Sequence, residues 1–371
     1  MIHSKKIILV VGARPNFMKV APILQELVKY PEAFQPLLIH TGQHYDADMS
    51  DIFFQDLELP KPDRFLGIGS GSHAEQTAKV MIAFEEVCIE ERPDLVVVVG
   101  DVNSTMACAI AAKKLCIPVA HVEAGLRSRD WTMPEEINRV VTDAISDLLF
   151  TPSRDANENL LREGIPLERI HFVGNVMIDS LLSQISKTEN RGTLRRFGVK
   201  AGNYAILTLH RPSNVDNPDV FMGIFNVMID LSQELPIIWP VHPRSRKMLE
   251  QLGLEHHIKN NQELRLVEPI GYLDMLTLNR RARLIITDSG GLQEEATVLG
   301  VPCITLRENT ERPVTVEAGA NRVVGNSPDR IRAAVLSILN GNSNRITIPE
   351  LWDGKAAMRI VEVLLHLNSW S

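Results

Sequence analysis

The feature that most restricts this chain is a repeated switch between short β-branched runs and longer stretches with apolar residues three and four apart. Runs at 7–11, 37–40, 95–99, 119–122 and 148–150 are each bounded by Gly, Pro or Asp, and segments such as 74–91 and 105–115 carry helical spacing between them. Parallel strands need a long crossover, and a helix is the usual one. The pattern therefore predicts βαβ units on a parallel sheet. It restarts after a polar stretch at 183–203, with further runs at 205–209, 237–239, 264–267, 284–287 and 303–306. A chain of 371 residues has room for two cores. The expected fold is α/β, with two Rossmann-like parallel-sheet domains at 1–180 and 181–355. A last periodic segment, from 356, is helical and fits against either half. No fixed sequence period is present, which excludes a solenoid.

Charge and composition narrow the function classes. A net charge of −7 argues against nucleic acid as the main partner, because phosphate backbones are held by a surplus of Lys and Arg. No run approaches the roughly 20 apolar residues that span a bilayer. The first residues lead straight into a strand without a signal-peptide core, so the expected compartment is the cytoplasm. Cys88, Cys108, Cys116 and Cys303 show no metal-ligand spacing and have apolar neighbours, which predicts buried free thiols and no metal. GKS, GKT and an early GxGxxG are absent, which argues against a Walker loop and a nicotinamide cofactor. No cofactor is expected.

In open parallel sheets, ligands lie beyond the carboxyl ends of the strands. After the first run comes Gly12-Ala13-Arg14-Pro15-Asn16, with Lys19 one turn into a helix. A tight glycine turn, free helix-start N–H groups and a guanidinium fork suit an anion, and a plain structural turn suits them as well. Three acidic places follow: Gly100-Asp101, His121-Val122-Glu123-Ala124-Gly125-Leu126-Arg127, and Pro134-Glu135-Glu136-Ile137-Asn138-Arg139. Each has a structural reading, as a helix cap or a helix opening. Three at one sheet edge favour proton transfer, since crowded carboxylates raise one another's pKa.

The second half presents His210-Arg211 after one strand and His242-Pro243-Arg244 one βα unit later. Then Asp288-Ser289-Gly290-Gly291 opens a helix whose N–H groups can hold a pyrophosphate, with Glu295 a turn on to accept ribose hydroxyls. Arg307 and Arg312 add cations near the same edge.

These segments resemble the non-hydrolysing UDP-N-acetylglucosamine 2-epimerases over nearly the whole chain, in the family's order. The His-Val-Glu-Ala-Gly-Leu-Arg run, Pro134-Glu135-Glu136 with Asn138-Arg139, and Thr310-Glu311-Arg312-Pro313 are the most specific matches. The resemblance implies the two-domain glycosyltransferase-B architecture around a cleft, with the segment 356–371 crossing back to the first domain, and a homodimer. It implies UDP-sugar contacts from Arg14, Lys19, Arg139, His210, His242, Ser289, Gly290, Gly291, Glu295 and Arg312. Asp101, Glu123 and Glu135, with His210, form the implied catalytic set. Asp101 is the expected base at C2, with Glu123 and Glu135 assisting proton return.

Some positions depart from the family pattern. Ser213-Asn214 stands where Glu-Asn is usual, and Met275 where an aromatic residue often lies near the uracil. Gln43 of a second, activating sugar-nucleotide site is kept, but Asp46 replaces a glutamine there, and the segment 66–72 lacks that site's arginine. A related substrate such as a UDP-diacetamido-uronic acid is therefore a close alternative. Further rivals are a hydrolysing epimerase, a UDP-sugar glycosyltransferase and a non-catalytic nucleotide-sugar regulator.

Overall fold

The β-branched runs do become strands, and all of them pair in parallel. In the computed structural model the described residues are 4–42, 60–189, 191–254, 261, 263–342 and 344–367. The chain divides into two compact units: Met1–Ser183 with Glu350–Ser371, and Gln184–Pro349.

The first unit contains β1 (Lys5–Val11), β2 (Phe34–His40), β3 (Arg64–Phe65), β4 (Leu95–Val99), β5 (Val119–Val122), β6 (Leu148–Thr151) and β7 (Ile170–Phe172). Their order is β3-β2-β1-β4-β5-β6-β7. The second contains β8 (Ala205–Thr208), β9 (Ile237–Pro240), β10 (Leu264–Val267), β11 (Leu284–Thr287), β12 (Cys303–Thr305) and β13 (Asn321–Val323). Their order is β10-β9-β8-β11-β12-β13. Both sheets reverse direction of growth after their third strand, as doubly wound folds do.

Central strands are covered by helices on both faces, so they need unbroken apolar sequence. All five residues of β4 are buried. Three strands were not expected from the sequence: β3, β7 and β13. Each is two or three residues long and lies at a sheet edge. An edge strand has one neighbour and can be very short, and two or three residues leave no β-branched run to read.

The C-terminal helix Ala356–His366 packs against the helix Arg14–Leu27 within the first unit. Asp179 accepts the N–H groups of Ala356 at 3.1 Å and Ala357 at 2.7 Å, which tethers the start of that helix. Trp352 Nε1 donates to the Pro152 carbonyl at 2.9 Å. Gly174, at φ +87°, lies so close to the Leu351 carbonyl that no side chain fits there.

Cys88, Cys108 and Cys303 are buried, whereas Cys116 is exposed, which corrects the expectation of four buried thiols. Cys116 follows the end of the helix Asn103–Lys114 in a left-handed turn, φ +60°, that redirects the chain toward β5. Among the described residues no helix is long and apolar enough to cross a membrane.

Candidate functional site

In the first unit the sheet order reverses between β1 and β4, which opens a crevice beyond their carboxyl ends. Gly12 leaves β1, and Gly100-Asp101 leave β4. Asn16, buried in the first helical turn, binds the two exits together. Its Oδ1 accepts the N–H groups of Gly12 at 3.0 Å and Ala13 at 2.9 Å, and its Nδ2 donates to the Val99 carbonyl at 3.0 Å. A Cβ on Gly12 would meet Ser104 Oγ at 2.6 Å, so only glycine permits this approach.

Lys19 is buried on the helix Arg14–Leu27 and forms an ion pair with Glu123, also buried, just after β5. Its ammonium fills the space a side chain at Gly100 would need, at 2.7 Å from the ideal Cβ. Glu123 has φ +74°, a conformation that costs a non-glycine residue about 1–3 kcal/mol. Such strain persists only where the surroundings enforce it, and a ligand-facing carboxylate is a common reason.

Asp101 retains 28% of its side-chain exposure and pairs with the guanidinium of Arg139. Arg139 is buried on the helix Pro134–Ile145 and reaches Glu136 Oε2 through Nη2 at 2.6 Å and Nε at 3.1 Å. Glu136 also accepts Ser128 N at 3.0 Å, Ser128 Oγ at 2.9 Å and Arg129 N at 2.8 Å. Burial pushes the Glu136 carboxyl up, but the Ser128 and Arg139 hydrogen bonds outweigh it and hold the group below its ordinary range. Asn138 Nδ2 donates to the Asp101 carbonyl at 2.9 Å. Glu135 lies half-buried in the first turn of the same helix.

Asp101, Glu123, Glu135, Lys19 and Arg139 thus all belong to this unit. The acids were expected to be massed against one another, yet Asp101 and Glu123 are each matched by a cation. Arg139, expected as a sugar-nucleotide contact, is buried between two carboxylates. Arg14 opens its helix at the exit of β1. Gln43 and Asp46 lie outside the described residues.

In the second unit the reversal falls between β8 and β11. His210 leaves β8 and Asp288 leaves β11, and His210 Nδ1 is 2.7 Å from Asp288 Oδ1. Asp288 is fully buried and accepts the N–H groups of His210 at 2.9 Å and Arg211 at 2.9 Å. Burial raises its carboxyl, but the bonds from His210 and Arg211 win and leave it lowered. The His242 ring lies 5.6 Å from that of His210, and its Nδ1 accepts Arg244 N at 3.2 Å. Burial, followed by the His210 ring, lowers the pKa of His242.

Ser289 precedes the helix Gly290–Leu299, and its N–H donates to Thr287 Oγ1 at 2.9 Å. A Cβ on Gly290 would lie 2.5 Å from Arg312 Nη1. Arg312 is buried, with Nε 2.7 Å from Glu294 Oε1 and Nη1 2.5 Å from Glu311 Oε1. Glu295 is buried, with Asn279 Nδ2 at 3.4 Å. A helix start flanked by a fixed guanidinium suits a phosphate. His210, His242, Ser289, Gly290 and Arg312 are therefore brought together beyond the carboxyl ends of β8 and β11, whereas Glu295 lies further along its helix beside Asn279.

The departures from the family pattern have structural consequences. Asn214 is buried and donates to the Leu306 carbonyl at 2.7 Å, while Ser213 is exposed. Met275 packs partly buried against the apolar core. Sequence reasoning passed over Asn16, Asn138 and Glu136 as site-builders. Asparagine and a helix-opening glutamate are common in turns, so only spatial neighbours reveal their work.

Comparison with known proteins gives concordant results. A family profile described as UDP-N-acetylglucosamine 2-epimerase matches residues 26–365. A UDP-N-acetylglucosamine 2-epimerase of Methanocaldococcus jannaschii is 46% identical over 366 residues, covering 97% of this chain and 99% of that protein. A UDP-2,3-diacetamido-2,3-dideoxy-D-glucuronate 2-epimerase of Pseudomonas aeruginosa is 40% identical, covering 98% and 100%. The crystal structure of the M. jannaschii UDP-GlcNAc 2-epimerase in complex with UDP-GlcNAc and UDP aligns with a TM-score of 0.90 at 45% identity, covering 98% of this chain and 100% of that one. With the doubly wound pair of sheets and these matches along nearly its full length, the chain belongs to the UDP-N-acetylglucosamine 2-epimerase family.

Proposed function

We propose that this chain interconverts UDP-N-acetylglucosamine and UDP-N-acetylmannosamine without hydrolysis. The observation that carries the reading is Asp101, a partly exposed carboxylate fixed by Arg139 and Asn138 at the reversal point of the first sheet. A C2–H of a sugar is barely acidic on its own. Stretching the bond from C1 to the UDP oxygen makes C1 cationic and the adjacent proton removable. In the proposed reaction Asp101 takes the C2 proton, the C1–O bond breaks, and UDP leaves with the electron pair. The product of this half is a 2-acetamidoglucal. UDP oxygen then adds back to C1 while one proton returns to the opposite face of C2, a return that Glu123 and Glu135 assist.

The second unit is assigned the leaving group. N–H groups at Gly290 and Gly291, with Arg312, His210 and His242, would stabilise charge as it develops on the diphosphate. Arg14 and Lys19 are assigned to the same ligand from the first unit, and Glu295 to the ribose. Retaining both intermediates requires exclusion of water during turnover. Family likeness supports a cytoplasmic homodimer that uses neither cofactor nor metal.

A second reading, C2 epimerisation of a UDP-2,3-diacetamido-uronic acid, is favoured by the P. aeruginosa relative and by Ser213 in place of an acid. Incubation with each UDP-sugar and product analysis by NMR decides between them. Free N-acetylmannosamine accumulating in step with UDP would replace the non-hydrolysing assignment with a hydrolysing one.

A further inference from the structure

We propose that His121 is a buried imidazolium that acts as a positioning residue for the Gly100-Asp101 turn, a role that rests on the function assigned above to Asp101. His121 is fully buried in β5. Its Nε2 is 2.8 Å from the Gly100 carbonyl oxygen, and its Nδ1 is 2.6 Å from Asp143 Oδ1. A carbonyl has no proton to give, so Nε2 carries one.

The second proton lies between Nδ1 and Asp143. Asp143 Oδ2 accepts Gly125 N at 3.0 Å and Arg127 Nη1 at 2.7 Å. A carboxylate bound to a permanently charged guanidinium is the weaker base of the two, and histidine already holds a proton about 2–3 pH units more tightly in water. Burial raises the Asp143 carboxyl, but His121 and Arg127 together outweigh it and keep it lowered. Arg127 is itself gripped by Glu163, through Nε at 2.9 Å and Nη2 at 2.6 Å. His121 and Arg127 are thereby balanced by Asp143 and Glu163. The other charges near this turn are Lys19 with Glu123, a neutral pair, and Arg139 shared between Asp101 and Glu136, which leaves one negative charge.

The consequence falls on the proposed base. Gly100 N donates to the Val122 carbonyl at 3.0 Å, and Gly100 O accepts from His121. Asp101 O accepts from Asn138, and its carboxylate meets Arg139. The peptide preceding Asp101 and the one following it are both clamped. A charged donor makes about twice the hydrogen bond of a neutral one. Small errors in a catalytic group's placement cost about 100-fold in rate, so a stiff clamp here has value.

Asp143→Asn tests the charge while preserving the shape. The Asn amide can donate to Nδ1 while its oxygen accepts Gly125 and Arg127, which leaves His121 neutral with its proton on Nε2. ¹⁵N-edited NMR of the full protein at about pH 8, with the His121→Gln variant assigning the signal, reads the ring directly. Protons on both nitrogens in the wild type, one in Asp143→Asn, and a kcat lowered about tenfold with KM and UDP affinity unchanged are expected. An unprotonated Nδ1 in the wild type, or a folded Asp143→Asn with wild-type kcat, would overturn the proposal. The wild-type spectrum stands even if a variant fails to fold. A doubly protonated His121 in a protein that turns over no UDP-sugar would remove the epimerase reading and keep the imidazolium.

Discussion

Arg139 and Asp101 form an ion pair across 38 residues of sequence, and the guanidinium that reaches Asp101 is pinned from behind by Glu136. The partly exposed acid is therefore aimed by two buried side chains from one helix.

Arg139→Ala should destabilise the protein by about 3–5 kcal/mol, because Glu136 would be left as a buried charge without its partner. Urea unfolding at neutral pH checks this. Arg139→Ala with Glu136→Gln should recover much of the loss in stability and none of the loss in kcat. Recovery of both would mean that Arg139 does no more than neutralise Glu136.

Asp101→Asn keeps the size of the side chain and the Asn138 contact to the backbone. Turnover should fall by about 10²–10⁴, the usual worth of a general base, while UDP affinity changes little. Rates from product NMR and a UDP titration measure the two separately. A UDP affinity reduced in proportion to rate would assign Asp101 to binding.

Gly290→Ala places a methyl 2.5 Å from Arg312 Nη1 and 2.8 Å from Glu311 Oε1. Both neighbours are buried, so the clash should cost about 1–3 kcal/mol of stability. Displacement of Arg312 should also weaken UDP binding about tenfold or more, which calorimetry measures. Unchanged UDP affinity in a folded variant would separate Arg312 from the diphosphate.

Asp179 gives a pH prediction. Burial raises its carboxyl to about 6 from the usual 3.8, against the opposing pull of the Ala357 and Ala356 N–H groups. A folded pKa above the unfolded one favours the protonated form in the fold. The group's contribution is thus most favourable below about pH 4 and is lost as pH rises through about 6. Asp179→Asn lacks this loss. Relative to wild type it should gain about 2 kcal/mol of stability between about pH 4.5 and pH 7.5 in urea unfolding. A difference that stays flat with pH would contradict the raised pKa.

Much of this fold was legible because buried parallel strands need continuous β-branched sequence. The runs at 95–99, 119–122 and 284–287 appear as strands with those bounds, every residue buried. Glycine punctuation was equally readable, as at Gly300, which ends its helix in a left-handed turn, φ +69°. The edge strands β3, β7 and β13 were not legible, since two or three residues leave no run to read, whereas the four-residue edge strand β10 was. The acids could be listed from sequence, but their partners could not. Nothing local to Glu123 announces Lys19, more than a hundred residues away. Two adjacent glutamates in one helix turn cannot be sorted without coordinates. Glu136 is tied to Ser128, Arg129 and Arg139, whereas Glu135 is half-exposed.

The proposed reaction turns on removal of the C2 proton while UDP stays bound, and turnover of UDP-N-acetylglucosamine in heavy water followed by NMR tests that step directly. Deuterium should appear at C2 of both UDP-N-acetylglucosamine and UDP-N-acetylmannosamine, with no build-up of free sugar. Epimer formed with protium retained at C2 would contradict it.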